Sequence, residues 1–143
     1  MATESSATTT WQGSLTKGSG ITHPQSGAFE DVEVTWASRT SRAAGKTSPE
    51  ELLAAAHASC YCMALSNELS EAGHEPEQLE ATATVAFVPG EGVKSSHIVV
   101  NGRVAGIDQD QFEQAARAAG EGCPISGALK GNIEISVEAT LAS

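Results

Sequence analysis

Basic side chains are scarce in this 143-residue chain: eight Lys and Arg stand against eighteen Asp and Glu, for a formal net charge of −10. Scattered singly, they form no basic stripe, which excludes a nucleic-acid footprint and leaves the acidic balance as a solubility feature. Long apolar runs are missing as well. No stretch approaches the roughly 18 residues that span a bilayer, and the N-terminal MATESSATTT has neither the basic nor the apolar region of a secretory signal. The reading is a cytoplasmic protein that engages neither membrane nor nucleic acid. Cysteine is sparse too. Three are present, with no CxxC pair, so a secretory disulfide framework is excluded and any disulfide points to catalysis or redox sensing. The odd count leaves at least one thiol over.

What is there is ordinary globular material, 40% apolar with fourteen glycines. The length predicts one domain over 1–143, in the size range where a dimer partner often completes the core. Residues 1–7 are small and polar and are expected to be disordered. Turn spacing over 8–36 predicts an antiparallel sheet of about three strands, the last with Val32, Val34 and Trp36 on alternate positions, and 37–46 reads as a loop carrying Arg39 and Arg42.

The stretch 47–65, TSPEELLAAAHASCYCMAL, organises the rest. Ser48 suits the N-cap, Pro49 the first helical position and Glu51 the third, a capping box that leaves Glu50 without a capping task. Leu52, Leu53, Ala56, Cys60, Met63 and Ala64 recur at helical spacing and small residues fill much of the remaining circumference, which predicts burial on most sides. Gly73 marks the end. Residues 79–88 alternate as a half-buried strand, 89–96 read as a loop, and 97–104 form its hairpin partner with Gly102 as a candidate bulge. Asp108 and Gln111 open a second helix with a stripe of Phe112, Ala115, Ala116 and Ala119. Cys123 stands at the N-cap of a short helical turn, and a last alternating strand closes the chain.

Four groups of residues are chemical candidates. Cys60 lies too deep in an apolar helix for the helix start to acidify it, so burial raises its thiol pKa and alone it is inert. Cys62 lies about 200° round the helix from it and reads as a packed thiol. Cys123, between Gly122 and Pro124, faces oriented amides and suits a resolving thiol. Glu50 can serve the helix dipole or a site, and Arg39 and Arg42 a solvated loop or a site. His57, Cys60 and Cys123 could offer three zinc ligands, but without a fourth at a recognisable spacing a packed or surface histidine is favoured, and no metal or bound cofactor is expected.

The helix motif together with the downstream GCPISGAL resembles the signature of the OsmC/Ohr family of osmotically inducible and organic hydroperoxide resistance proteins, and its AAAHAxC form resembles the OsmC branch. The resemblance implies an α+β fold with antiparallel sheets packed around a long central helix in an intertwined homodimer. It implies a thiol-dependent peroxidase whose sites lie at the subunit interface. Cys60 matches the peroxidatic cysteine, Cys123 the resolving cysteine in its CPxS setting, and Glu50 the family glutamate. Arg39 best matches the family's loop arginine, with Arg42 as the alternative. Organic hydroperoxides are the implied substrates, ahead of hydrogen peroxide, and thiol or lipoyl-type dithiols the implied reductants. Glu50 and Cys60 are ten residues apart on one expected helix, about 15 Å at ~1.5 Å per residue, so Glu50 is expected to act on the other subunit's cysteine. A non-catalytic hydrophobic-ligand or stress-binding module, and a zinc-stabilised domain, are the other classes.

Overall fold

A computed structural model describes residues 1–42 and 44–142, which divide into two compact units, Met1–Leu52 and Leu53–Ser143. In the first unit β1 (Ala7–Gln12), β2 (Ser19–Pro24) and β3 (Val32–Val34) form an antiparallel sheet in that order. Gly20 on β2 lies between Trp11 and Val34. A Cβ there would come within 2.8 Å of the Trp11 ring, so the residue is small because its neighbours are not.

The expected loop over 37–46 begins instead as a helix, α1 (Trp36–Ser41), and Trp36 belongs to it and not to a strand. Thr35 makes the difference. Its hydroxyl accepts the Ser38 amide and the Ser38 hydroxyl accepts the Thr35 amide, a reciprocal box that ends β3 and starts a helical turn. The buried Ser38 hydroxyl also lies 2.7 Å from the Thr47 carbonyl, and Thr47 pairs back to Glu33, so α1 is tied to the segment that enters the long helix.

That helix, α2 (Pro49–Glu71), runs unbroken past the end of the motif. The Ser48 hydroxyl accepts the Glu51 amide as expected, while the Glu51 carboxylate takes the Thr47 hydroxyl at 2.6 Å. Gly73 adopts φ +88° and lets His74 N–H reach back to the Leu69 carbonyl, a Schellman stop. The buried stripe differs from the expected one. His57, Tyr61, Leu65 and Leu69 face the core at four-residue spacing, whereas Met63 is 74% exposed and Ala55, Ser59 and Asn67 share its open face. Small residues made the periodicity ambiguous, and burial on most sides does not hold within one protomer.

In the second unit β4 (Gln78–Val88) and β5 (Gly92–Arg103) form an antiparallel hairpin, with β5 starting five residues earlier than the alternation indicated. The bulge falls between Ala86 and Phe87, not at Gly102. Gly102 has another cause: a Cβ there would sit 2.4 Å from the Phe112 ring. From β5 the chain passes through α3 (Gln109–Gly122) and α4 (Pro124–Leu129) before β6 (Glu134–Leu141) pairs with β5 in parallel. A parallel pair needs such a crossover, and the two helices provide it. The expected Asp108–Gln111 capping box is present. Tyr61, Leu65 and Leu69 of α2, Ile98 and Val100 of β5, Phe112 and Ala119 of α3, and Cys123 make one core. The fold is α+β, as expected, with that one parallel pair in an otherwise antiparallel set. No described helix is long and apolar enough to cross a membrane.

Gly102→Ala should cost about 1–3 kcal/mol of stability, the range for forcing a methyl group into packed space. Denaturant unfolding checks it, and an unchanged midpoint would show that the Phe112 ring gives way freely.

Candidate active site

The sequence candidates fall into two pairs, one in each unit. In the first, α1 presents Arg39 and the start of α2 presents Glu50, whose side chain is buried. Arg39 Nε reaches both carboxylate oxygens, at 3.0 and 3.2 Å, and Nη2 donates to Oε2 at 2.9 Å. This side-on fork fixes the plane of the guanidinium, which a lysine ammonium could not do. Trp36, one turn back on α1, lies under the cation with its ring centre 5.9 Å from Arg39 Cζ. Arg42 stands apart from this pair as the exposed C-cap of α1, at φ 56°. It is Arg39 that grips Glu50.

The second pair is made of sulfur. Cys60 comes from the middle of α2 and Cys123 from the junction of α3 and α4, and Cys60 packs against the core that contains Cys123, where each free thiol shifts the other's pKa. Their environments push them apart. Burial raises Cys60, the Ile125 amide partly offsets this, and the neighbouring Cys123 raises it further. Cys123 is only 1% exposed, and burial acts on it in the same direction. The Ser126 amide and hydroxyl, the Cys60 thiol and the Ile125 amide act against burial, and together they bring it below the ordinary thiol value. Pro124 at the first position of α4 starts the turn that gathers those amides.

Behind Cys123 lies a part of the site that the motif reading did not identify. His57, at 0% exposure, has Nδ1 2.6 Å from the Ser96 hydroxyl on β5 and Nε2 2.7 Å from the Ser126 hydroxyl on α4. Burial lowers its pKa, so the ring is neutral. Of the packed and surface readings the sequence left open, the packed one holds, with both nitrogens taken by hydroxyls. The CPIS pattern could have pointed to Ser126, three residues after an N-cap, but Ser96 carries no local signal. Tyr61 donates its hydroxyl to the Ala116 carbonyl at 2.8 Å and so ties α2 to α3 beside the thiols. Cys62 faces away, in a groove of about 550 Å³ that Met63, Ser66 and Leu79 also line, and burial raises its pKa.

The family model described as OsmC-like protein matches residues 41–138. Peroxiredoxin OsmC of Escherichia coli (strain K12) is 35% identical over 131 residues, covering 90% of this chain and 91% of that protein. The organic hydroperoxide resistance protein OhrB of Bacillus subtilis (strain 168) is 27% identical over 93 residues, 64% of this chain and 68% of that protein. Among solved structures, an OsmC-like protein from Mycoplasma pneumoniae superposes with a TM-score of 0.76 over the whole of both chains at 15% identity, a likeness of fold.

Proposed function

The chain belongs to the OsmC-like protein family, and from that premise we propose that it is a cysteine-based peroxidase reducing organic hydroperoxides, with hydrogen peroxide a poorer substrate. One observation carries the reading: two free thiols from distant parts of the sequence, Cys60 and Cys123, meet in one core and act on each other's pKa, one raised and one lowered. The names of the relatives, a peroxiredoxin and hydroperoxide resistance proteins, support the same class of reaction.

In this reading the Cys60 thiolate attacks the terminal peroxide oxygen. The O–O bond breaks, the alkoxide leaves and is protonated to the alcohol, and Cys60 becomes a sulfenic acid. Cys123 then attacks the Cys60 sulfur, hydroxide departs and is protonated to water, and a Cys60–Cys123 disulfide remains. An external thiol or lipoyl-type dithiol resets it by exchange, and no bound cofactor or metal is required. Half-buried Cys60, its pKa raised, favours the thiol, so the first step needs a cation to hold the thiolate and the departing alkoxide. Arg39, with its plane fixed by Glu50, is suited to that task.

The same logic extends to assembly. Glu50 and Cys60 lie ten residues apart along α2, about 15 Å at ~1.5 Å per residue of helix, and the open face of α2 carries the 74% exposed Met63. We infer a cytoplasmic homodimer in which the Arg39–Glu50 pair of one protomer serves Cys60 of the other. The alternative, a module that binds apolar ligands without turnover, gives the paired thiols no task.

Purified protein should remove cumene hydroperoxide only when a thiol or lipoyl dithiol is supplied. Arg39→Met should lower that rate by at least ~100-fold, the scale of losing one transition-state charge stabiliser, and Arg42→Met should do much less. Absence of dithiol-dependent turnover would rule out the peroxidase, and equal effects of the two substitutions would rule out the special role of Arg39. Refolding inactive Cys60→Ser together with a severely impaired Glu50→Ala variant should restore activity toward half of wild type per heterodimer. Heterodimers that form and stay inactive would place Glu50 and Cys60 in one chain's site.

A further inference from the structure

Two hydrogen bonds tie the segment that carries Cys123 to the helix that carries Cys60. Buried Tyr61 donates its hydroxyl to the Ala116 carbonyl of α3 at 2.8 Å, and His57, one turn earlier on α2, has Nε2 2.7 Å from the Ser126 hydroxyl of α4. Residues three and four apart share a side of a helix, so His57, Cys60 and Tyr61 fall together on one side of α2. The chain from Ala116 to Ser126 is therefore held at both ends to the same side of α2. Cys123 lies inside that span, and Cys60 lies between its two posts and packs against the core that contains Cys123.

Between the posts the span is built weak. Gly120 and Gly122 stand in the last turn of α3, where glycine costs a helix stability that alanine would supply. Neither is required there, in contrast to Gly20 and Gly102 with their crowding neighbours. Both keep a negative φ, a Cβ at Gly120 would meet nothing nearer than Val137 at 3.9 Å, and one at Gly122 would meet no described atom outside its own turn within 4 Å. Cys123 itself is extended, at φ −71° and ψ 119°, and Pro124 has no amide with which to carry the helix through. The other side of the pair is stiff. Helix α2 runs 23 residues with Tyr61, Leu65 and Leu69 in the core.

A disulfide fixes its sulfurs about 2.05 Å apart with a dihedral near about 90°, whereas Cys60 and Cys123 are free thiols, so closing the bridge requires a displacement. We propose that the span from Gly120 to Pro124 is the part that yields: Tyr61 is a positioning residue that, with His57 at the far end, keeps Cys123 opposite Cys60, and Gly120 and Gly122 let the backbone give so that the two sulfurs bond. Its use in turnover rests on the peroxidase reading, whereas the movement does not. In closing, a Cys123 lone pair forms the S–S bond, the bond from the Cys60 sulfur to its leaving group breaks, and the electron pair departs with that group. After a peroxide the group is hydroxide, which takes a proton and becomes water. After a disulfide reagent it is a thiolate. Tyr61 touches no reacting atom in either case.

The test reads closure without peroxide, in Cys62→Ser protein given one equivalent of dithiobis(nitrobenzoate). Half-buried Cys60 expels the first thionitrobenzoate, and Cys123, only 1% exposed, expels the second as the bridge forms, so the second absorbance phase is the closing step. Gly120→Ala combined with Gly122→Ala should raise the unfolding midpoint and yet slow that phase about tenfold, the factor that undoing two such alanine gains entails. Closure at the parent's rate would show that rotation of the thiols is enough and would overturn the soft span. Tyr61→Phe keeps the ring and removes the post. It should lower the ratio of bridged to reduced protein about threefold at a fixed ratio of oxidised to reduced dithiothreitol, since a span no longer held in place has more order to gain on closing. An unmoved ratio assigns Tyr61 to packing alone and overturns its positioning role. Should the alanine pair not fold, hydrogen exchange of the unaltered protein decides. The Cys123 amide, bonded to the Ala119 carbonyl, should exchange at least about tenfold faster than the Tyr61 and Leu65 amides of α2, and equal protection overturns the span. Closing that responds as expected to the reagent, with no bridge from cumene hydroperoxide, sinks the peroxidase reading and leaves the span standing.

Discussion

A sulfur taken out of water can hold negative charge only where other donors replace the solvent, and most of what surrounds Cys123 follows from that requirement. Burial alone would keep it a thiol. The Ser126 amide and hydroxyl, the Cys60 thiol from α2 and the Ile125 amide act against burial and lower its pKa. These groups come from two elements far apart in sequence, so the chemistry of one side chain depends on the packing of α2 against the α3–α4 crossover. Tyr61 holds that packing from the other side, through its bond to the Ala116 carbonyl.

The opposite directions of the two thiols fit a division of labour. Neutral donors move Cys123 toward the thiolate without any cation. Cys60 is not so moved, and a guanidinium fixed in its plane by a buried carboxylate is the kind of group that would change this. The first unit of the fold builds such a group from Thr35, which starts α1, from Ser38, which ties α1 to Thr47, and from Trp36 beneath the cation. Each unit therefore carries half of what the proposed reaction uses, and a dimer is the arrangement we propose for joining them.

Much of this was legible in the sequence, and what was not has identifiable causes. The caps at Ser48 and Asp108, the Gly73 stop and the alternation of β4 and β6 are local signals and appear where the residues put them. Helix α1 was hidden because Val32, Val34 and Trp36 continue a strand alternation across the Thr35 box. The stripe of α2 was read one face off because alanines blur a helical period, leaving Met63 outside when it was expected inside. The parallel pairing of β5 with β6 depends on the crossover between them and leaves no mark in either strand. The serines that hold His57 lie 39 and 69 residues from it, a distance over which no spacing rule reaches.

In the proposed reaction Cys60 and Cys123 work as a redox pair while Cys62 stands aside. Reduced protein given one equivalent of an organic hydroperoxide, then alkylated, digested and mapped by mass, tests it most directly. A single reversible bridge linking Cys60 to Cys123 is expected, with Cys62 recovered as the alkylated thiol. A bridge that includes Cys62, or Cys60 carried on to the sulfinic or sulfonic acid with Cys123 still alkylated, would contradict it.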